Sequence, residues 1–453
     1  MVSTRTAEVL ATLARRGARA LVDARFGFAP AAVRRQAIAL HARLACEALG
    51  PGFIKLGQLA SVRPDLCAPE TVLEMQRLQD TVPPVPFDAV AETIERELGR
   101  PPAALFASFA VEPVAAASVA QVHRAELARP YRTVSGRTLS AGSTVAVKVL
   151  RPGIDATIAA DLRLARRLAG FAGRRRRFAH LPLEGLIDEF ERSLASELDL
   201  RREGRVADRF AFDFRDDPLL VVPETVWTRT TRRVLTMEYV EGWRLTDLDA
   251  ARRAGVDTRK LAVHGAEVFL QQVLVHGRFH ADLHPANLLV TPDGRICYLD
   301  FGIAGHTTAA QRFAIAQVLA ATAYGDSDRA LRYSRELGLE IPDDQVAEVR
   351  ARVDQLLRNH LPAGRPSDVR GFAIGYLGML ADLGIRVPVG YGLLVKALVT
   401  VEGVARSLYP DIDIVATARP YATRLITSTV LSAPVLAERG PRAIRAALRE
   451  LAG

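Results

Sequence analysis

The stretches FHADLHPANLLV at residues 279–290 and YLDFG at residues 298–302 decide the fold that we predict for this chain. Asp282 and Asn287 stand with four residues between them, and Asp300 follows 13 residues after Asn287. The polar segment TPDGR separates two short apolar runs, which is typical of a small β-hairpin. Because carboxylate and amide oxygens suit Mg2+, we predict Asn287 and Asp300 as metal ligands and Asp282 as a catalytic carboxylate. The alternative is that these side chains only stabilise turns.

Protein kinases carry the same three groups, in the same order and spacing, in their catalytic loop and DFG element. Phosphoryl transfer needs a carboxylate near the attacking hydroxyl, and an amide and a second carboxylate as ligands of magnesium. Upstream, Lys148 ends the run Val-Ala-Val-Lys, which resembles the kinase strand whose lysine contacts the phosphates of ATP. We therefore expect ATP and Mg2+ as cofactors, with Lys148 as a catalytic phosphate ligand. The alternative for Lys148 is a lysine at a strand edge with its ammonium group in water.

Lysine is scarce in this chain. Of the 60 basic residues, 56 are arginine and four are lysine, namely Lys55, Lys148, Lys260 and Lys396. Arginine and lysine differ in geometry and hydration. We therefore expect a lysine that is retained in such a chain to serve its specific chemistry.

An alanine-rich segment, AAASVAQVH at residues 115–123, stands where a kinase has its glycine-rich phosphate loop. Each alanine adds a Cβ that restricts the backbone, so we expect this loop to hold nucleotide differently from a glycine-rich one. The base of the nucleotide is expected along the segment Met-Glu-Tyr-Val at residues 237–240. The predicted nucleotide-binding residues are Ala115, Ala116, Ala117, Ser118, Val119, Lys148, Met237, Glu238 and Val240.

Two further motifs make a family resemblance specific. Residues 54–65 read IKLGQLASVRPD and contain a KxGQ pattern, while SELDLRRE contains the ExD pattern of Glu197 and Asp199. Together with the alanine-rich loop, HxDxHPxN and DFG, these motifs resemble the UbiB/AarF family of atypical kinases over about residues 30–415.

The resemblance implies roles for the residues of these motifs. It implies that Glu203 pairs with Lys148 and belongs to the catalytic set, and that Glu197 pairs with Lys55. A Glu197–Lys55 pair would hold the helical prefix over the place where a protein substrate would sit. The residues with this implied gating role are Lys55, Gln58, Glu197 and Asp199. For the acidic residues, the alternative is a solvated helix face.

The fold class that follows is α+β, a protein-kinase-like bilobal fold with a helical N-terminal extension that carries KxGQ. The order of patterns predicts the helical extension at residues 1–104 and a small nucleotide-binding lobe at residues 105–242. A helical catalytic lobe at residues 243–453 ends in a basic amphipathic helix, GPRAIRAALRELAG. One long helical pattern runs from about residue 183 to residue 210, and LLVVPETVW is a candidate strand.

Composition limits the partners and the compartment. The net charge of +9 and the pI near 9.8 favour an anionic partner, and nucleotide phosphates or an anionic membrane surface both qualify. Nucleic acid is not expected, because no recognised motif accompanies the basic residues. Three cysteines without metal-ligand spacing fit a reducing compartment, and neither a signal peptide nor a spanning helix is expected. We expect a cytoplasmic protein, with a peripheral position at the inner face of the plasma membrane left open.

The predicted function is that of an ATP- and Mg2+-dependent atypical kinase or ATPase. The family resemblance implies a supporting role in the biosynthesis of ubiquinone or a related isoprenoid quinone, with an isoprenoid quinone or a lipid precursor as a partner. Two alternatives stay open. One is a phosphotransferase that acts on a small molecule or a protein, and the other is a pseudokinase scaffold that binds nucleotide without turnover.

Overall fold

A computed structural model describes residues 4–24, 30–60, 69–75, 78, 82–173, 183–362 and 367–417, with a few isolated positions beyond. The chain divides into two compact units. The first unit comprises Met1–Phe212 and Pro223–Tyr239, and the second comprises Asp213–Val222 and Val240–Gly453. The predicted C-terminal amphipathic helix lies outside the described residues, and the three-part division at residues 104 and 242 stays a prediction.

The first unit combines helices with an antiparallel sheet. Its helices are α1 (Thr4–Asp23), α2 (Ala31–Leu49), α3 (Pro51–Ala60), α4 (Pro69–Met75), α5 (Phe87–Leu98), α6 (Pro102–Leu105), α7 (Ile154–Gly173), α8 (Leu183–Glu197) and α9 (Leu200–Asp213). Its strands are β1 (Phe106–Ala116), β2 (Ala120–Leu127), β3 (Tyr131–Arg132), β4 (Thr138–Leu139), β5 (Thr144–Leu150) and β7 (Val234–Glu238). The order in the main sheet is β1-β2-β5-β7, and every neighbouring pair is antiparallel.

Strand β5 places Lys148 because its side chains alternate between two faces. Val145, Val147 and Val149 are fully buried in a core cluster that also contains Val90 and Ile94 of α5. Residues at even positions of β5 face the other side of the sheet, where Ala146 packs against a second cluster containing Leu200 of α9. The strand period therefore turns Lys148 towards the α9 side of the sheet.

The second unit is mainly helical, with short strands. Its helices are α10 (Leu248–Arg253), α11 (Thr258–Gln271), α12 (Ala309–Tyr324), α13 (Ser327–Glu336), α14 (Val346–His360), α15 (Val369–Asp382) and α16 (Val389–Leu408). Its strands are β6 (Leu220–Val221), β8 (Trp243–Arg244), β9 (Arg278–His280), β10 (Leu288–Val290), β11 (Ile296–Tyr298) and β12 (Ala304–His306). The strand orders are β6-β11-β10-β8 and β12-β9.

The hairpin predicted across TPDGR is present. Strands β10 and β11 pair antiparallel with Leu288 opposite Tyr298, and Gly294 occupies the turn with φ of 77°. This left-handed conformation suits glycine because it has no Cβ. The hairpin brings the end of the predicted catalytic loop next to the start of the DFG segment.

Two predictions about elements were wrong. The pattern at 183–210 is broken into α8 and α9, because Asp199 starts a new helix by accepting a hydrogen bond from the Arg201 amide at 3.2 Å. Of the candidate strand LLVVPETVW, only Leu220–Val221 is a strand, since Pro223 has no N–H for a ladder. Among the described helices, none is both long and apolar enough to cross a membrane.

Candidate functional site

The predicted ion pair between Lys148 and Glu203 is present in the first unit. Lys148 Nζ lies 2.7 Å from Glu203 Oε1 and 2.8 Å from Oε2, and the two side chains are 19% and 7% exposed. Glu203 stands in the first turn of α9, where the helix dipole favours a carboxylate. Gly204 lets α9 approach the sheet closely, since a Cβ there would lie 3.2 Å from Leu235 of β7. The carboxylate is thereby held within reach of the strand lysine.

The alanine-rich loop forms a tight turn between β1 and β2. The Ala117 amide donates to the Ala120 carbonyl at 2.8 Å, and Ser118 is fully buried. Arg151, just after β5, donates from Nε to the Ala117 carbonyl at 2.8 Å and from Nη2 to the Pro83 carbonyl at 2.8 Å. Sequence reasoning missed Arg151, since no motif marked it. Its guanidinium fastens the loop that contains the predicted phosphate-binding residues Ala115–Val119.

The segment predicted to hold the base begins at the end of β7. The Glu238 amide donates to the Glu224 carbonyl at 2.8 Å, and the Tyr239 amide donates to the Thr144 carbonyl at 3.1 Å. Arg137 of the β3–β4 hairpin donates to Glu238 Oε1 at 2.8 Å. Met237 and Glu238 belong to the first unit and Val240 to the second. The side chain of Glu238 is thus held by the hairpin, a contact that the sequence did not indicate.

The gating residues implied by the resemblance lie in the first unit. Lys55 of α3 pairs with Glu197 at the end of α8 at 2.9 Å, as the resemblance implied, and Gln58 lies one turn further along α3. Asp199 forms two hydrogen bonds of 2.8 Å with the Arg201 guanidinium. The hydrogen bonds from Arg201 hold the pKa of Asp199 below its usual value despite partial burial. In the structure the Asp199 side chain therefore stabilises the N-terminus of α9.

The predicted catalytic loop and the DFG segment are joined in the second unit by contacts of His280. The Asp282 amide donates to His280 Nδ1 at 3.1 Å, and His280 Nε2 contacts the Asp300 carbonyl. Full burial lowers the pKa of His280, which keeps the ring neutral, so that one nitrogen accepts and the other donates. Asn287 Nδ2 donates to the Asp282 carbonyl at 3.1 Å, and Asp300 Oδ1 accepts from the Gly302 amide at 2.8 Å. The backbone thus fixes all three predicted groups relative to one another.

Asp282 also forms an ion pair that was not predicted. Lys396 Nζ of α16 lies 2.9 Å from Asp282 Oδ1. Burial by itself would raise the pKa of Asp282, but the charge and hydrogen bond of Lys396 outweigh it and the pKa is lowered. The scarcity of lysine was the signal in the sequence that could have drawn attention to Lys396.

The donor atoms of Asn287 and Asp300 fit a magnesium ion bound together with phosphates. Asn287 Nδ2 donates to the Asp282 carbonyl, and Asn287 Oδ1 makes no hydrogen bond in the described part of the chain. Within the described residues, no cluster of three or more His, Cys, Asp or Glu side chains could form an all-protein metal site. Mg2+ commonly takes only one or two protein carboxylates and completes its shell with phosphate oxygens and water. The carboxylate of Asp300 and the amide oxygen of Asn287 therefore form a suitable set of protein ligands for Mg2+.

The sequence of this chain matches known protein families. The family model of the ABC1 atypical kinase-like domain matches residues 77–334, and that of the UbiB helical domain matches residues 376–413. A probable protein kinase UbiB from Cellvibrio japonicus is 36% identical over 395 residues, which cover 84% of this chain and 68% of the relative. An uncharacterized Synechocystis protein, sll1770, is 34% identical over 399 residues, which cover 87% of this chain and 66% of the relative. The chain spans about two thirds of the length of these curated relatives.

A solved structure of a Mycobacterium tuberculosis protein, the complex of Rv3197 with erythromycin, matches with a TM-score of 0.48 and 21% identity. The match covers 89% of this chain and 98% of that chain.

The family matches include the segments that carry the candidate site. The ABC1 model covers more than half of the chain and contains Lys148, Glu203 and the segment 279–302, while the helical-domain model contains Lys396. The protein-kinase-like fold with mixed helix and sheet, predicted from the motifs, is thereby confirmed. The chain belongs to the ABC1/UbiB family of atypical kinase-like proteins.

Proposed function

We propose that this protein is an ATP- and Mg2+-dependent atypical kinase or ATPase that supports the biosynthesis of ubiquinone or a related isoprenoid quinone. The observation that carries the proposal is the ion pair of Lys148 with Glu203. Removing two charges from water is costly and is repaid only by precise geometry. In protein kinases this pair must be in place for the lysine to hold the phosphates. Lys148 would accordingly contact the α- and β-phosphates of ATP.

Asn287 and Asp300 would hold the magnesium ion. When bound, this ion would neutralise charge on the phosphate oxygens during transfer. Other residues of the chain would orient these two ligands. His280 joins the catalytic loop to Asp300, and the Asp282 carbonyl orients the Asn287 amide.

Asp282 would orient the attacking hydroxyl and take up its proton. Its Oδ1 accepts from Lys396, and its Oδ2 makes no hydrogen bond among the residues described. A third of its side chain is exposed, so that an acceptor can reach the carboxylate. A lowered pKa keeps this carboxylate ionised at neutral pH, which is the form that accepts a hydrogen bond.

The acceptor that we propose is water or a small hydroxyl compound such as a phenolic quinone precursor. The support is the Lys55–Glu197 ion pair, which ties α3 to α8 within the first unit. With Gln58 and Asp199, this pair would restrict access for a protein substrate. The name of the Cellvibrio japonicus relative, a probable protein kinase UbiB, supports a kinase-type reaction.

The experiment that tests the proposal measures phosphate release from ATP by the purified full chain. Turnover is followed with Mg2+ and with EDTA, and with and without a quinone-like phenol. We expect Mg2+-dependent turnover that increases with the phenol. Glu203→Gln and Asp300→Asn should each lower kcat/KM at least about a hundredfold, because the first loses the carboxylate that holds Lys148 and the second loses a ligand of the magnesium ion.

The matched control is Glu191→Gln, which changes an exposed glutamate on α8 that pairs with Arg166. This variant should stay within about twofold of the unaltered protein, since exposed ion pairs contribute little. Equal turnover in all four proteins would point to a contaminating ATPase. Nucleotide binding without turnover under any condition would instead identify a scaffold.

A further inference from the structure

Among the three lysines that form ion pairs in the described residues, Lys396 is the one whose pair was not implied by a motif. All four lysines lie among the described residues, and three pair with carboxylates singled out as site residues: Lys55 with Glu197, Lys148 with Glu203 and Lys396 with Asp282. Lys260, by contrast, is exposed in the first turn of α11. In a chain with 56 arginines, this distribution indicates that the ammonium group is specifically required at the three paired positions.

Helix α16 gives Lys396 a fixed position in the second unit. Ala397, Val401 and Ala405, spaced by four residues, are buried along one face of the helix, as expected for a packed helical stripe. The Lys396 carbonyl accepts a hydrogen bond from Thr400 Oγ1 at 2.8 Å. The buried face of α16 therefore fixes the backbone that carries Lys396, and the ion pair with Asp282 holds the ammonium group.

The ion pair with Lys396 involves only one of the two oxygens of the Asp282 carboxylate. Lys396 Nζ donates to Oδ1 at 2.9 Å, and the paired side chains are 20% and 33% exposed. Oδ2 makes no hydrogen bond within the described residues. A carboxylate held at one oxygen cannot rotate freely, so the other oxygen is presented in one direction.

We propose that Lys396 is a positioning residue for phosphoryl transfer, which holds Oδ1 of Asp282 so that Oδ2 alone receives the acceptor hydroxyl. The inference rests on the proposed function. In the step, a bond forms between the acceptor oxygen and the γ-phosphorus of ATP, and the bond from that phosphorus to the β–γ bridging oxygen breaks. ADP leaves with the electron pair of that bond. The proton of the acceptor passes to Oδ2 of Asp282 and then to solvent.

The test compares Lys396→Met, Lys396→Arg and Lys260→Met with the unaltered full chain. Methionine keeps an unbranched side chain that is one atom shorter and has no charge, and Lys260→Met makes the same change at the exposed lysine. Nucleotide-binding sites are counted first by titration with a fluorescent ATP analogue. The kcat and the KM for ATP are then measured per binding site, so that unfolded molecules do not contribute.

We expect Lys396→Met to lower kcat by about ten- to a hundredfold, because loss of orientation at the reacting groups costs factors of this size. The KM for ATP and the dissociation constant of the nucleotide should change less than about twofold, since the phosphates are held by other groups. Lys396→Arg should recover only part of the loss, because its guanidinium can still donate to Oδ1 but is larger and planar and does not reproduce the position of the ammonium group. Lys260→Met should match the unaltered protein.

Three outcomes would overturn the inference. The first is a kcat in Lys396→Met equal to or above that of the unaltered protein, which would make the pair dispensable or inhibitory. The second is a loss of nucleotide binding in Lys396→Met, which would indicate a structural role. The third is absence of turnover in the unaltered protein, which would overturn the proposed function as well and is thereby distinguished from the first two.

Discussion

At the scale of single residues, His123 makes two hydrogen bonds that require a neutral ring. It is fully buried in β2, and its Nδ1 lies 2.9 Å from the Ala110 carbonyl while its Nε2 lies 2.9 Å from Gln121 Nε2. The Gln121 Oε1 already accepts from the Val85 amide at 2.8 Å, so the Gln121 amide nitrogen is the donor to His123. A second ring proton on Nε2 would face that donor. Burial accordingly lowers the pKa of His123, although the Ala110 carbonyl and Glu112 act in the opposite direction.

We predict from this lowered pKa that protonation of His123 contributes to acid destabilisation. Below the ordinary histidine pKa of 6.5, the unfolded chain binds a proton that the folded ring resists, so stability falls as the pH falls. Each loss of about 1 kcal/mol in the free energy of unfolding lowers Tm by about 2–4 °C in a domain of roughly 150–250 residues. Thermal unfolding between pH 7.5 and pH 5.5 should therefore show a steeper fall in Tm for the unaltered protein than for His123→Gln. Parallel curves would contradict the prediction.

Ion pairs in which both partners belong to family motifs were predictable, whereas the pair between Asp282 and Lys396, which lies in none of the quoted motifs, was not. Lys148–Glu203 and Lys55–Glu197 followed from the resemblance, because the motifs already name both partners. Lys396 stands 114 residues from Asp282, and only the packing of α16 decides which side chain reaches the carboxylate. A motif states which groups the chemistry needs, but it does not state which distant helix supports them.

At the scale of elements, helix packing explains why the KxGQ motif has glycine at position 57. A Cβ at this position of α3 would lie 2.4 Å from Leu78 Cδ1, 3.0 Å from Met75 Sδ of α4 and 3.4 Å from Cys46 Sγ of α2. Glycine therefore allows α3 to pack closely against its neighbours in the first unit. The same α3 carries Lys55, so this packing also sets the position of the ion pair with Glu197.

We predict that Gly57→Ala destabilises the first unit whereas Gly170→Ala stabilises it. Overpacking typically costs about 1–3 kcal/mol, which exceeds the gain of about 1 kcal/mol from replacing glycine in a helix. Gly170 of α7 has nothing within 4 Å of the added Cβ, so only the gain remains there. Differential scanning fluorimetry should give a lower Tm for Gly57→Ala and a higher Tm for Gly170→Ala. A Tm for Gly57→Ala at or above that of the unaltered protein would show that the side chains around it move aside at little cost.

The elements that sequence patterns missed are those fixed by tertiary pairing. Strands β8, β9 and β12 have two or three residues each, which is too short for a period of two to be recognised. The break between α8 and α9 was missed because the apolar period continues through Leu198 and Leu200, both buried. The sequence signal that indicated a break was Asp199, because aspartate is a preferred residue at the start of a helix.

At the scale of the whole molecule, the charge of the chain is its most general property. The sequence carries 60 basic and 51 acidic residues, for a net charge of +9. Such an excess attracts anionic surfaces at low ionic strength and loses this attraction when salt screens it. The proposed role in quinone biosynthesis involves lipid-soluble compounds, and a charged surface would bring the protein to the membrane that contains them.

We predict that the full chain binds vesicles of phosphatidylglycerol in a salt-dependent manner. Sedimentation with these vesicles should be strong at about 20 mM salt, where the screening length is on the order of 20 Å or more. It should fall at least about tenfold at 0.5 M salt, where the screening length is only a few ångströms. Phosphatidylcholine vesicles are the control and should bind little at either ionic strength. Binding that persists at 0.5 M salt would imply insertion of apolar side chains, because burial of apolar surface is not weakened by screening. No binding at low salt would refute a charge-driven approach to the membrane.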